Sequence, residues 1–301
     1  MSGALRSADT LLALLAACIL GVSFVAIKFG LQVMPPFALC AWRFFLAAIP
    51  LIFFVPRPDV SWRVLIGYGL AIGVAQFGML FLAIAVGMPA GLASLVIQFQ
   101  VFFTIALSVL FAGERVRPAQ LLGGVVAGAG LVAIGWTKLT SGLGLGFALV
   151  LGAALAWSVG NVIAKRAGKL DLLGFIAWSS LAAPIPLALL SLVFEGPTAL
   201  FDPVLHPTWI GSGSVLFIAY GATVFGFGTW SRLLAHHDAA IVSPFALLIP
   251  VWAMASTALV FGERLNAAQA VGAALVIAGL ALTVFGPRLF TMLRTRIGRL
   301  L

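Results

Sequence analysis

The stretch Leu110–Leu131, LFAGERVRPAQLLGGVVAGAGL, returns at Leu259–Leu280 as LVFGERLNAAQAVGAALVIAGL. At a constant spacing of 149 residues ten of the 22 positions are identical, among them Gly113-Glu114-Arg115 against Gly262-Glu263-Arg264 and Ala119-Gln120 against Ala268-Gln269. Self-similarity at a fixed period marks one structural unit written twice. A second segment agrees: Ala41-Trp42 followed by Ala47, Ile49, Pro50 and Leu51 matches Ala177-Trp178 followed by Ala183, Ile185, Pro186 and Leu187, at a spacing of 136. The longer connection Glu195–Pro207 in the second half accounts for the difference between the two spacings.

Both copies lie in sequence that water cannot solvate. With 63% hydrophobic residues, 8% charged residues and 33 glycines, the chain has too little polar surface to cover a globule of this size, so its solvent is lipid. The net charge of +9 does not point to nucleic acid, because the basic residues stand singly between apolar runs and in a short arginine-bearing tail. Cys18 and Cys40 fall inside apolar runs and read as small buried residues. No residue spacing suggests a metal, a disulfide or a cofactor. Leu15-Ala16-Ala17-Cys18 resembles a lipoprotein cleavage box, but the apolar run continues to Ile27 and is too long for a signal-peptide core.

A spanning helix needs ~20 mostly apolar residues. On that criterion the chain parses into ten predicted spans: 11–31, 37–55, 64–86, 91–112, 119–137, 144–164, 172–194, 209–235, 239–261 and 267–285. The runs are continuous rather than alternating, which selects helices over barrel strands. The fold class is therefore all-α integral membrane protein, ten transmembrane helices as two five-helix repeats, at 1–140 and 141–287, with a basic cytoplasmic tail at 288–301. Five spans per unit is an odd number, so the second unit starts on the opposite face and the repeats are inverted. Thirteen Lys and Arg residues fall at one set of span ends and three, Lys28, Lys138 and Arg264, at the other, with Arg43 inside a span. Positive charge stays inside, which predicts that both termini are cytoplasmic.

Two five-helix units, each ending its fourth helix in Gly-Glu-Arg and continuing with Gln and a Gly-rich fifth helix, resemble the drug/metabolite transporter superfamily. More narrowly the chain resembles the EamA-type exporters, and within them YddG-like exporters of amino acids. The resemblance implies two bundles around a central path for small metabolites, with helices five and ten at the periphery. The family commonly carries Pro-Val in helices four and nine; Pro250-Val251 keeps it, whereas the first half has Gln100-Val101.

Polar groups inside a membrane are costly and face the bundle or a wet cavity. Candidate substrate-binding residues are Gln76, Gln98 and Gln100, whose amides suit a zwitterion, against the alternative of interhelical glue. Gln98 and Gln100 are two apart, so they share one cavity only if the helix is irregular. Trp157 and Asn161 share a helix face with Ser158 beside them and Ser23 as the counterpart in the first half. Tyr220 and Trp230 are weaker candidates, since aromatic residues often mark the membrane interface. Arg43 offers a guanidinium for a carboxylate, but it lies only about two turns from its span end, which favours snorkelling or a structural pair.

Glu114 and Glu263 read as structural ion pairs at span ends, and His236-His237-Asp238 as a solvated turn. Gly124 and Gly128, with Ala274 and Ala278, form small-residue pairs for close packing or a homodimer through helices five and ten. Pro184, Pro186, Pro244 and Pro250 interrupt spans, and Pro244 and Pro250 make the ninth helix a candidate gate.

The inverted repeat predicts alternating access, and the resemblance implies export of small metabolites, amino acids foremost, across a bacterial inner membrane, with lipid and a small-molecule substrate as partners. All eight acidic residues map to a terminus or span end, so the expected mode is a facilitator rather than a proton-coupled antiporter. A membrane-embedded enzyme would need convergent catalytic groups, and a channel would need rings of like residues; neither is evident.

Overall fold

The structure, a computed structural model, describes residues 7–113, 116–168, 172–237 and 239–297. Glu114, Arg115 and Asp238 lie outside the described residues. Those described form helices and no strands, and nine of the helices are long and apolar enough to cross a membrane. In chain order these are α1 (Ser7–Leu31), α3 (Trp62–Ala85), α4 (Ala90–Phe111), α5 (Pro118–Thr140), α6 (Gly144–Arg166), α7 (Leu173–Phe194), α9 (Trp209–Leu234), α10 (Ser243–Phe261) and α11 (Ala267–Gly286). The apolar helix α2 (Pro36–Ile52) is shorter. The connection after α7 is not only a loop: α8 (Thr198–Leu205) forms within it, and the Trp42 indole donates to the Leu200 carbonyl at 2.9 Å to hold it against α2. The helix containing α11 runs unbroken to Ile297.

Burial explains how apolar runs become a bundle. Large side chains such as Leu110, Leu121, Val132, Leu259 and Val271 point outward and are more than 45% exposed, which in lipid costs nothing, so packing rather than hydrophobicity must hold the helices together. Small residues supply it. A Cβ on Gly123 of α5 would strike the Gly279 carbonyl of α11, and one on Gly279 would strike Ala127. The stripe is thus one position away from the predicted Gly124 and Gly128. Gly124 has only Phe102 beside it, nothing lies within 4 Å of a Cβ on Gly128, and Ala274 is not buried. Position 123 faces the partner helix because the side chains of an α-helix turn by about 100° per residue, so a one-residue error moves a stripe out of contact.

Four spanning helices depart from α geometry without breaking, three at mid-length and α10 at its start. α3 widens to a π-helix at Leu70–Gln76 and α9 at Phe217–Phe227; α4 tightens to a 3₁₀ turn at Ile97–Phe99 and α10 at Ser243–Leu247. In α10 Pro244 opens the turn, but α4 makes it without proline. α7 breaks at 181–183 ahead of Pro184. Departures of this kind expose backbone groups that lipid would not satisfy, so they belong beside a cavity. α4 and α10 both end on a glycine in the left-handed conformation, Gly113 at φ +64 and Gly262 at φ +67, as a helix C-terminus prefers.

Candidate functional site

The irregular segments surround a chamber of about 450 Å³ in the bundle interior, bounded by α1, α2, α3, α4, α6, α9, α10 and α11. This is within the range of small-molecule sites. A larger hollow of about 730 Å³ lies at one end of the bundle among α2, α8 and α9. Its principal acid, Glu195, is engaged, since both carboxylate oxygens accept backbone N–H groups of α2, from Phe37 at 2.6 Å and Ala38 at 3.0 Å. The central chamber differs because some of its polar groups are not spoken for.

Gln76 and Gln98 line it, 2% and 7% exposed, and neither amide has a hydrogen-bond partner among the described residues. Neither is fully sealed, so each amide opens on the chamber, where it needs water or a solute. The 3₁₀ turn at Ile97–Phe99 is what lets Gln98 and Gln100 both reach it, which a regular α-helix would forbid. Asn161 also lines the chamber and donates to Gln100 Oε1 at 2.7 Å and to Thr104 Oγ1 at 3.1 Å. Those bonds tie α6 to α4, so Asn161 and Gln100 act as wall and tie together. Trp157, Trp230 and Ser23 also line it.

Arg43 overturns the expectation that it snorkels. It is 2% exposed, and its guanidinium carbon sits 3.6 Å from the centre of the Phe77 ring. Its Nε and Nη2 donate to Thr223 Oγ1 at 3.4 and 3.2 Å. Nor is it paired with an acid: the ion pairs among the described residues are Lys28 with Glu263 and His237 with Asp9. An aromatic face and a hydroxyl replace the headgroups that the guanidinium would otherwise seek. Sequence reading missed Phe77 and Thr223. The hydroxyl of Thr223 donates in turn to Ile218 O at 2.9 Å, five residues back, a spacing that exists because α9 is π-helical there.

Two candidates are not part of the chamber. Ser158 is fully buried, and its hydroxyl donates to Leu155 O at 2.6 Å within its own helix. Tyr220 is 37% exposed and lines none of the chamber. Pro244 and Pro250 lie beside it without lining it, although their neighbours Ser243 and Ile249 do.

One end of the bundle is tied across by Glu263. Its carboxylate accepts from Lys28 Nζ of α1 at 2.6 Å and from the first backbone N–H groups of α4, Ala90 and Gly91, each at 3.0 Å. The ion-pair expectation for Glu263 holds, with Lys28 as its partner. Burial tends to raise the carboxyl pKa, but the bonds from Lys28, Gly91 and Ala90 outweigh it and hold it below its ordinary value. At the other end His237 Nε2 lies 3.0 Å from Asp9 Oδ2, joining the start of α1 to the end of α9; this turn is a cross-bundle tie rather than simply solvated.

Apolar helices around a solute-sized chamber, with the amides of Gln76 and Gln98 and the guanidinium of Arg43 in its wall, define an integral membrane protein with room for a small polar solute. The chain belongs to the EamA-like transporter family, whose model matches residues 9–136 and 144–285. It is 41% identical over 286 residues to the "Probable amino-acid metabolite efflux pump" of Escherichia coli (strain K12), covering 93% of this chain and 96% of that one. The same identity holds to the protein so named in Salmonella typhimurium over 93% and 96% of the two chains. It is 26% identical to the "Uncharacterized transporter YoaV" of Bacillus subtilis, covering 88% and 92%. A crystal structure covering 93% of this chain and 98% of its own has a TM-score of 0.59 at 21% identity, which supports the fold alone. The chain is thus a multi-pass membrane transporter, and the enzyme alternative falls with the family assignment.

Proposed function

We propose that this transporter exports small amino-acid metabolites, aromatic or other neutral ones, across a bacterial inner membrane by alternating access. The observation that carries the reading is the pair of buried, unpartnered amides of Gln76 and Gln98 facing a chamber that also holds Arg43. A zwitterion supplies acceptors and donors to such groups while an apolar wall with Trp157 and Trp230 receives its side chain. The names of the relatives from Escherichia coli and Salmonella typhimurium support the substrate class.

The architecture we propose has ten spanning helices, α2 being the tenth beside the nine longer ones, arranged as inverted repeats at 1–140 and 141–287 with both termini cytoplasmic. The matched stretches 9–136 and 144–285 support that division. So do the paired irregularities, π-helical in α3 and α9, 3₁₀ in α4 and α10. Among the described residues no carboxylate or histidine lines the chamber, which supports a facilitator over a proton-coupled antiporter. Pro244 and Pro250 beside the chamber support α10 as the moving element. A homodimer would have to use the face of α5 bearing Gly124 and Gly128 and that of α11 bearing Ala274 and Ala278, since the Gly123 stripe is consumed within the chain; the mass of the purified particle tests this.

The decisive experiment is counterflow of a panel of labelled amino acids in proteoliposomes, repeated with Gln98→Ala and Asn161→Ala. Saturable uptake of at least one amino acid, lost or weakened at least tenfold in Gln98→Ala, is the expected result. No uptake of any amino acid, with the protein folded, refutes the substrate class; normal uptake by both variants refutes the site.

A further inference from the structure

The chamber has an annex. A side pocket of about 50 Å³ shares Arg43, Gln76, Phe77 and Trp157 with it and adds Tyr68 and Thr223 to its walls. A dry cavity of about 150 Å³ admits benzene, so an annex a third of that size takes a carboxylate or a monatomic ion and no ring.

Its chemistry has one sign. Among the described residues no aspartate, glutamate or histidine lines the annex or the chamber, whereas hydrogen-bond donors converge there. Arg43 has five N–H groups and directs those of Nε and Nη2 at a single oxygen, Thr223 Oγ1. Thr223 is committed as an acceptor because its own proton goes to Ile218 O. The Gln76 amide, the Tyr68 hydroxyl and the Trp157 indole N–H have no partner among the described residues, none is fully sealed, and all three residues line the annex. An arginine with no carboxylate beside it in a membrane interior is expensive. Stacking on Phe77 offsets part of this. A bound anion offsets the rest.

We infer that the annex at Arg43 is a monovalent-anion site: it takes the carboxylate of the solute during export and a small inorganic anion such as chloride when no solute is bound. This rests on the central chamber being the solute site, and it deepens that reading in two ways. Solutes without a carboxylate are poor substrates, and chloride competes with substrates that have one. Thr223 is the positioning residue that turns the guanidinium edge toward the pocket.

The test uses purified full-length protein in micelles at constant ionic strength, with isethionate, too bulky for the annex, as the background anion. Chloride, bromide and acetate are titrated in turn while the thermal midpoint and the tryptophan fluorescence are read. The wild type is expected to show a saturable rise with each anion, acetate competing with chloride. Arg43→Gln weakens the dissociation constant at least tenfold, and Arg43→Lys restores part of it. Thr223→Val, which keeps the charge, weakens it several-fold, and Thr223→Ser recovers it. An equal or non-saturable response in wild type and Arg43→Gln overturns the site; where Arg43→Gln does not fold, unchanged chloride affinity in Thr223→Val does so. A response to acetate but not chloride overturns the substrate-free half of the inference. Saturable chloride binding in a protein that transports no amino acid would refute the exporter reading and leave this site standing; amino-acid counterflow with no anion binding would do the reverse.

Discussion

Replacing Glu263 by alanine removes three interactions at once. Two are the backbone N–H groups of Ala90 and Gly91, which begin α4 and lie buried. Loss of an N-terminal cap costs ~0.5–2 kcal/mol. The third is the 2.6 Å bond from Lys28, whose side chain is 29% exposed against 14% for the glutamate. A bond to a charged group contributes ~1.5–3 kcal/mol, reduced here because the Phe261 ring, 4.5 Å from Nζ, still faces the ammonium. Glu263→Ala is therefore expected to cost ~2–4 kcal/mol by these terms, and Glu263→Gln, which keeps an acceptor for the α4 amides, about half of that. The assay is equilibrium unfolding in mixed micelles, run as a double-mutant cycle with Lys28→Met. The expected coupling is ~1–2 kcal/mol, whereas independent sites add to within about 0.5 kcal/mol. Additivity within that margin would refute the idea that Glu263 ties α1 to α4. The pH dependence supplies a second check. A carboxyl held below its ordinary value contributes stability that is present above the unfolded-state pKa, 4.5 for glutamate, and is lost as pH falls through the folded value. The wild-type midpoint should fall in acid below that point and that of Glu263→Gln should fall less; equal slopes would count against the assignment.

Other outcomes follow from the same geometry. Gly279→Val, whose Cβ meets the Gly123 carbonyl and Ala127, should destabilise by ~1–3 kcal/mol as overpacking does, while Gly128→Ala, with nothing within 4 Å, should be neutral; unfolding midpoints compare them. Ser158→Ala loses one bond to Leu155 O, worth ~0.5–1.5 kcal/mol, and should leave counterflow unchanged. Tyr220→Phe should do likewise, and a transport defect in it would put Tyr220 back at the site. Asp9→Asn breaks the contact with His237, whose side chain is 23% exposed, and should shift the unfolding midpoint by less than about 1 kcal/mol.

The helices and their order were legible because lipid is the solvent: a spanning helix must be continuously apolar, so its run stands out between polar breaks. The repeated Gly-Glu-Arg was legible for a different reason. Both glycines take the left-handed conformation that ends α4 and α10, and a residue required by backbone geometry survives as a motif. Gln76, Gln98, Gln100, Asn161, Trp157 and Trp230 were legible as uncommon polar or aromatic groups within spans, and they line one chamber. Ser158 was not separable from them, because a hydroxyl can satisfy itself on its own helix. Arg43 was misread because depth along α2 was counted in turns from the span end. Length does not reveal that Phe77 and Thr223 of other helices wait beside it.

From residue order alone come the membrane environment, the run of helices, the doubled unit and the short roster of interior polar groups. All follow from local rules, namely hydropathy, period and the cost of polarity in lipid. Which face of each helix turns inward depends on rotation, and a single residue shifts that by about 100°; only the packed structure decided that Gly123 rather than Gly124 meets α11. Only it brought Lys28 and Glu263, 235 positions apart, into contact, and joined Arg43 to Thr223 across 180. Partnerships over such separations are set by how helices cross, and nothing in either local stretch encodes the crossing.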